Sequence, residues 1–217
     1  MTASHPQKSL PRRLALPVIA GAAGGFLASM AFLHLTDFPE TGGLGASREI
    51  GGLVGLVYVL CALAVGLGTA SPKIGARILN VENAEELREQ RLLLSLSAIA
   101  MLALGTALVL LALAAPIGPL NAAGSASASG LLIVCAIVIG LRSLRLNDEM
   151  QRALSRDASA TAFNLLFLIG GCWSILAHTG FADAPEPLDW LTMFAVFMLA
   201  GAFWQGARRG LMLRGPN

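Results

Sequence analysis

Apolar residues fall in six long runs separated by short polar segments, at approximately 14–35, 50–70, 92–115, 123–144, 161–180 and 188–207. Each run is near the length of about 20 residues that a helix needs to cross a hydrocarbon core of about 30 Å. In lipid the backbone must satisfy its own hydrogen bonds, and a continuous run of this length does so only as a helix. The pattern therefore predicts an all-α, polytopic membrane protein, a six-transmembrane-helix bundle. Residues 1–13 form a first tail, 14–207 a single transmembrane domain and 208–217 a second tail.

The fourth run differs from the rest. Pro116 and Pro119 close the third run, "NAAGSASASG" follows, and only Leu131 to Leu141 is strongly apolar. To cross a bilayer this helix must include Ser125, Ser127 and Ser129, which sit better against a neighbouring helix than against lipid. Two readings stay open: a helix packed centrally in the bundle, or one bordering a wet cavity. A re-entrant segment is a weaker third. Small residues recur at helical spacing elsewhere, in Gly21 and Gly25, Gly51 and Gly55, Ala62 and Gly66, and Ala64 and Gly68. Such faces let backbones approach closely; we expect them to hold the chain's own bundle together, with contacts between copies of the chain as the alternative.

Charge supplies the orientation. The 217 residues are 55% hydrophobic and 13% charged, with a mean hydropathy of +0.70. A soluble domain carries about 25% charged residues, and this chain has too few to cover a water-facing surface. With the N-terminus inside, fourteen of the fifteen Lys and Arg residues fall in inside segments, and only Arg48 lies outside. Asp37, Glu40, Glu49, Asp183, Glu186 and Asp189 accompany it there. This is a strong positive-inside pattern and predicts cytoplasmic termini. Trp190 and Trp204 stand near opposite ends of the last run, as interfacial anchors do. Lys8, Arg12 and Arg13 precede an apolar stretch, but that stretch is too long for a signal peptide and lacks a small-x-small site, so a retained span is expected. The Arg excess over Lys suggests a GC-rich bacterial genome and hence an inner (cytoplasmic) membrane.

The two long inside segments are alike. "NAEELREQR" precedes the third run and "NDEMQRALSR" the fifth, about 63 residues apart. Each opens with an Asn suited to N-capping (Asn83, Asn147), continues with acids that favour a helix N-terminus, and then turns basic. Both helices are expected to start in the cytoplasm and enter the bilayer unbroken. With the preceding runs they suggest a duplicated helix-pair unit, parallel rather than inverted. Glu82, Glu85, Glu86 and Glu89 share one helix face. They are candidate partner contacts, as are Asp148, Glu149, Gln151 and Arg152; a solvated face is the plainer reading of the glutamates. Asp148, Glu149, Gln151, Arg152, Pro187, Trp190, Trp204, Arg208 and Arg209 together resemble a group of small, uncharacterised bacterial inner-membrane proteins. Those carry a juxtamembrane Asp-Glu-x-Gln-Arg motif, a Pro-containing outer loop, a Trp- and Phe-rich last span and an Arg-rich end. The resemblance covers the C-terminal third and implies no catalyst; Ala153 and Leu154 depart from its usual basic residues.

Little in the chain points to chemistry. Every Asp, Glu, Lys and Arg lies in a loop or near a run's end, where intramembrane ionisable groups would have marked a proton or ion path. No phosphate-cradling loop, HExxH or GxSxG occurs. Cys61, Cys135 and Cys172 stand singly among apolar residues, as packing groups. His34 and His178 end the first and fifth runs on the same side. Were those helices neighbours, the pair would have the chemistry to ligate haem or a metal ion; an interfacial His bonded to water or backbone is the commoner case, and no cofactor is expected. Asn164 is expected to bond a neighbouring helix. The leading functional expectation is a non-enzymatic structural, accessory or regulatory component of the inner membrane. Its partners are the lipid bilayer and a membrane-protein partner or a second copy; no nucleic acid is expected. The alternatives are a small transporter or channel for a neutral or weakly polar solute, and a redox protein using His34 and His178.

Overall fold

The structure, a computed structural model, describes residues 10–37, 43–70 and 90–210. The stripe of Glu82, Glu85, Glu86 and Glu89 lies outside them. The described chain is helical: α1 (Leu10–Leu35), α2 (Ala46–Ala70), α3 (Arg91–Ala112), α4 (Ala122–Leu146), α5 (Glu149–Leu165), a π-helical turn (Leu166–Gly170), α6 (Gly171–His178) and α7 (Pro187–Arg208). α5, the π turn and α6 run on as one 30-residue rod. That rod and α2, α3, α4 and α7 are the five helices long and apolar enough to cross a membrane. In α1 the stretch Gly21–Leu35 is apolar but shorter.

The core is formed where α2, α3 and α7 meet. Tyr58, Leu108 and Ala195 are buried there, with Val54, Met101, Leu104, Leu188, Leu191 and Leu199 around them. The most extensive contact is between α2 and α3, and glycines make it possible. A methyl group at Gly55 would lie 2.7 Å from the Gly105 carbonyl oxygen, and one at Gly105 would lie 2.6 Å from that of Gly55. Only hydrogen on both Cα atoms allows this crossing. Gly201 plays the same part against the Ala158 carbonyl, where α5 meets α7. Gly51 is held against Leu188 and Thr192, and Gly52 against the Phe32 ring. Gly21 and Gly25 do not pack within the described bundle: among the described residues a methyl at either meets nothing within 4 Å. α1 leans on α2 near Phe32, further along the helix, so its glycine face stays out of the bundle.

Two groups of helices result. α4 packs on α3, α5 packs on α7, and α7 docks on α2. Of the two readings of α4, the central position is thus corrected, while its first turns border a pocket at Ala122 and Ala126. α4 is an edge helix whose Ser125 and Ser129 are buried against α3, while Leu131, Val134, Ile137 and Leu141 are exposed. Large apolar side chains such as Phe26, Phe167 and Phe203 also cover the exterior. That distribution suits lipid as the solvent, where helices associate by close packing rather than by hydrophobic burial. Ends alternate as the chain requires. The start of α2, the end of α3 with Ala114 and Ala115, and the starts of α4 and α7 meet around Arg48, and the α4–α5 junction lies with Arg209 at the opposite end.

Candidate functional site

The Asp-Glu-x-Gln-Arg segment is a corner between α4 and α5. Asn147 was the expected cap of α5, but Asp148 takes that place, its Oδ1 accepting from the Gln151 backbone N–H at 2.6 Å. Asn147 instead ends α4, its backbone N–H donating to Ser143 at 3.1 Å. Arg152 reaches back across the corner. Its Nε donates to the Leu144 carbonyl at 3.1 Å and its Nη2 to the Arg145 carbonyl at 3.3 Å. One acid therefore caps the incoming helix and one base the outgoing one, each matching the sign of the helix dipole it faces. The motif's first duty is internal; Glu149 remains exposed beside it.

Farther along α5, Asp157, Thr161, Gln205 and Arg209 form a polar seam with α7. Gln205 Nε2 donates to Thr161 Oγ1 at 2.9 Å, and Arg209 Nη2 meets Asp157 Oδ2 at 2.5 Å. The sequence does carry a signal for this seam: Asp157 and Thr161, and likewise Gln205 and Arg209, are spaced i, i+4 and so share a helix face. Tyr58 was also missed. Its buried hydroxyl donates to the Ala195 carbonyl at 2.7 Å and ties α2 to α7. A lone Tyr in an apolar run is the available clue, because a buried phenol needs a partner.

Ser129 Oγ donates to the Ala107 carbonyl of α3 at 3.1 Å. Ser125 is buried beside it, and exposed Ser127 turns back on its own helix to Ala123. Ser125 and Ser129 thus face α3, and Ser127 faces outward. Asn164, expected to bond a neighbour, is exposed instead, because α7 covers the face of α5 that carries Ala158 and Ala162. His34 and His178 are both exposed, and α1 and α6 do not pack together, so the structure does not join them into a pair. Among the described residues no cluster of three or more His, Cys, Asp or Glu forms.

A partly open pocket of about 380 Å³ lies at the Arg48 end. Leu111, Leu188, Leu191, Pro187 and Ala126 supply apolar walls, and Arg48 and Glu186 add one charge of each sign. Arg48 Nη1 donates to the carbonyls of Ala112 and Ala114, where α3 ends. Among the described residues its Nε and Nη2 have no hydrogen-bond partner. The carboxylate–guanidinium pairs among those residues are Asp157 with Arg156 and with Arg209, so Arg48 and Glu186 do not neutralise each other. Glu186 is exposed at the start of α7, and its backbone N–H is taken by Asp189 Oδ2 at 2.7 Å. Arg48 stood out in the sequence as the single base on its side, yet nothing there placed Glu186, 138 positions later, in the same pocket. A second pocket of about 390 Å³ lies at the other end between α2 and α3, with Arg91 at its edge. No protein-family model, curated protein or solved structure matches this chain.

Proposed function

We propose that this protein is a non-enzymatic, multi-pass component of a bacterial inner membrane, with a structural, accessory or regulatory role. What carries the reading is how the interior polar groups are spent. Tyr58 is bonded to Ala195, Ser129 to Ala107 and Gln205 to Thr161, each across a helix–helix contact. Polar side chains used this way hold helices together. These three groups are thereby engaged within the bundle.

In this reading α1 is a sixth span and both ends are cytoplasmic. The charge asymmetry supports that orientation, since Arg91, Arg142, Arg145, Arg152, Arg156, Arg208 and Arg209 all belong to the inside set. The likeness of "NAEELREQR" to "NDEMQRALSR" supports a duplicated inward–outward pair. The unlike packing weighs against it, because α2 and α3 are closely paired whereas α4 and α5 part at their corner.

The test is purification of the full chain from native membranes in mild detergent, with mass spectrometry of what accompanies it. A stoichiometric membrane-protein partner is the expected outcome. Pure protein that moves or converts a defined solute in liposomes overturns the reading. Orientation is checked separately: a C-terminal fluorescent-protein fusion should glow, and a C-terminal fusion to a periplasm-dependent phosphatase should be inactive.

A further inference from the structure

We propose that the pocket at the Arg48 end holds the headgroup and upper chain of a phospholipid bearing a primary ammonium, of the phosphatidylethanolamine type. The proposal rests on the membrane-spanning reading above but not on the accessory role. The volume of about 380 Å³ falls within the range of about 300–1,000 Å³ typical of ligand pockets. The wall residues set its depth. Leu111 is the penultimate residue of α3, and Ala126 and Leu191 are each the fifth residue of α4 and α7. The pocket thus reaches about one helical turn, roughly 5 Å, below the helix ends. In a spanning bundle that is the level where headgroups give way to chains.

The charges select the headgroup. Capping of α3 engages Arg48 Nη1 alone, and among the described residues the three N–H donors on Nε and Nη2 have no partner. A phosphate diester suits that fork, because guanidinium binds phosphate oxygens in pairs. Glu186, whose side chain also faces the Asp189 backbone N–H in a capping box, then offers its remaining carboxylate lone pairs to an ammonium on the same molecule. A primary ammonium donates hydrogen bonds to it, whereas a quaternary choline cannot. A glycerol headgroup brings no cation, and its lipid's net negative charge is repelled by Glu186. Below both charges, Leu111, Leu188 and Leu191 face a chain with apolar surface.

The experiment is native mass spectrometry of the full chain in a neutral detergent. Phosphatidylethanolamine, phosphatidylcholine and phosphatidylglycerol with identical chains are added in turn, and inorganic phosphate alone is the fourth probe. One phosphatidylethanolamine should be retained, about tenfold more than either other lipid, the factor that one charge-assisted hydrogen bond of about 1.4 kcal/mol supplies. Glu186→Gln should erase that preference. Ala126→Phe should fill the pocket from α4 and block retention while leaving both charges in place. Arg48→Gln should lose phospholipid too, but it also uncaps α3, so the other two variants decide. Equal retention of all three lipids, or a preference that survives Glu186→Gln, overturns the proposal. So does inorganic phosphate that displaces the lipid, which would reveal an anion site and no lipid site. The fusion experiment reports insertion independently, so a negative lipid result leaves the membrane reading standing.

Discussion

At the scale of single residues, the sharpest contrast is between helix glycines in two settings. Gly55 and Gly105 sit where a methyl group would meet a backbone carbonyl, which cannot swing aside as a side-chain tip can. Gly21 and Gly25 face open space. Gly55→Ala or Gly105→Ala should therefore cost about 1–3 kcal/mol through overpacking. Gly21→Ala and Gly25→Ala should be neutral or stabilise by up to about 1 kcal/mol, since alanine is the better helix former. Denaturant titration of the four variants in detergent checks this; equal effects at both places would sink the distinction. The GxxxG spacing is identical in α1 and α2, so only the neighbour separates a packed face from an idle one.

At the scale of elements, the α4–α5 corner gathers two caps into five residues. Asp148→Ala should lose about 1 kcal/mol with the N-cap. Arg152→Ala should release the carbonyls of Leu144 and Arg145. Because α4 and α5 pack on different partners, the damage should stay local. Hydrogen exchange should quicken over residues 143–153 and remain slow in α3 and α7. Quickening of the whole bundle would mean that the corner holds more than itself. The acid-then-base order of this segment was legible as a helix start. That Arg152 serves the preceding helix was not, because a side chain reaching backwards leaves no periodic trace.

For the whole molecule, the two helix groups meet through α7, with Tyr58 hydrogen-bonded across the junction. A chain cut between Asn147 and Asp148 should therefore reassemble when both parts are co-expressed, and they should co-purify. Tyr58→Phe should weaken the reassembly roughly threefold, from an interhelical hydrogen bond of about 0.6 kcal/mol. Parts that stay apart would show that the connection, not the packing, holds the groups together. Five apolar runs and their ends could be read from hydropathy and charge, since length and polarity alone decide whether a helix can cross lipid. Which helix lies at the edge could not. α4 owes its place to two buried serines and an apolar outer face, and a periodic stripe of small residues looks the same in the middle of a bundle as at its rim. The pocket was legible only as Arg48, because Glu186 reaches it through the folding of distant segments.

The π-helical turn at Leu166–Gly170 bears on what lengths this chain tolerates. In an uninterrupted α-helix, Gly170 would stand about 80° around the axis from Ala162, eight steps of about 100°. The turn absorbs one residue, so Gly170 takes the place of a seventh step and comes within about 20° of Ala162. That phase brings it beneath the Trp190 ring of α7 while Ala158 stays against Gly201. Removing any one residue between 166 and 169 would restore a plain α-helix with the same face toward α7. The same deletion between Ala158 and Ala162 would throw everything beyond it a quarter-turn out of phase. A related chain one residue shorter in this helix would be expected to carry its gap at the turn.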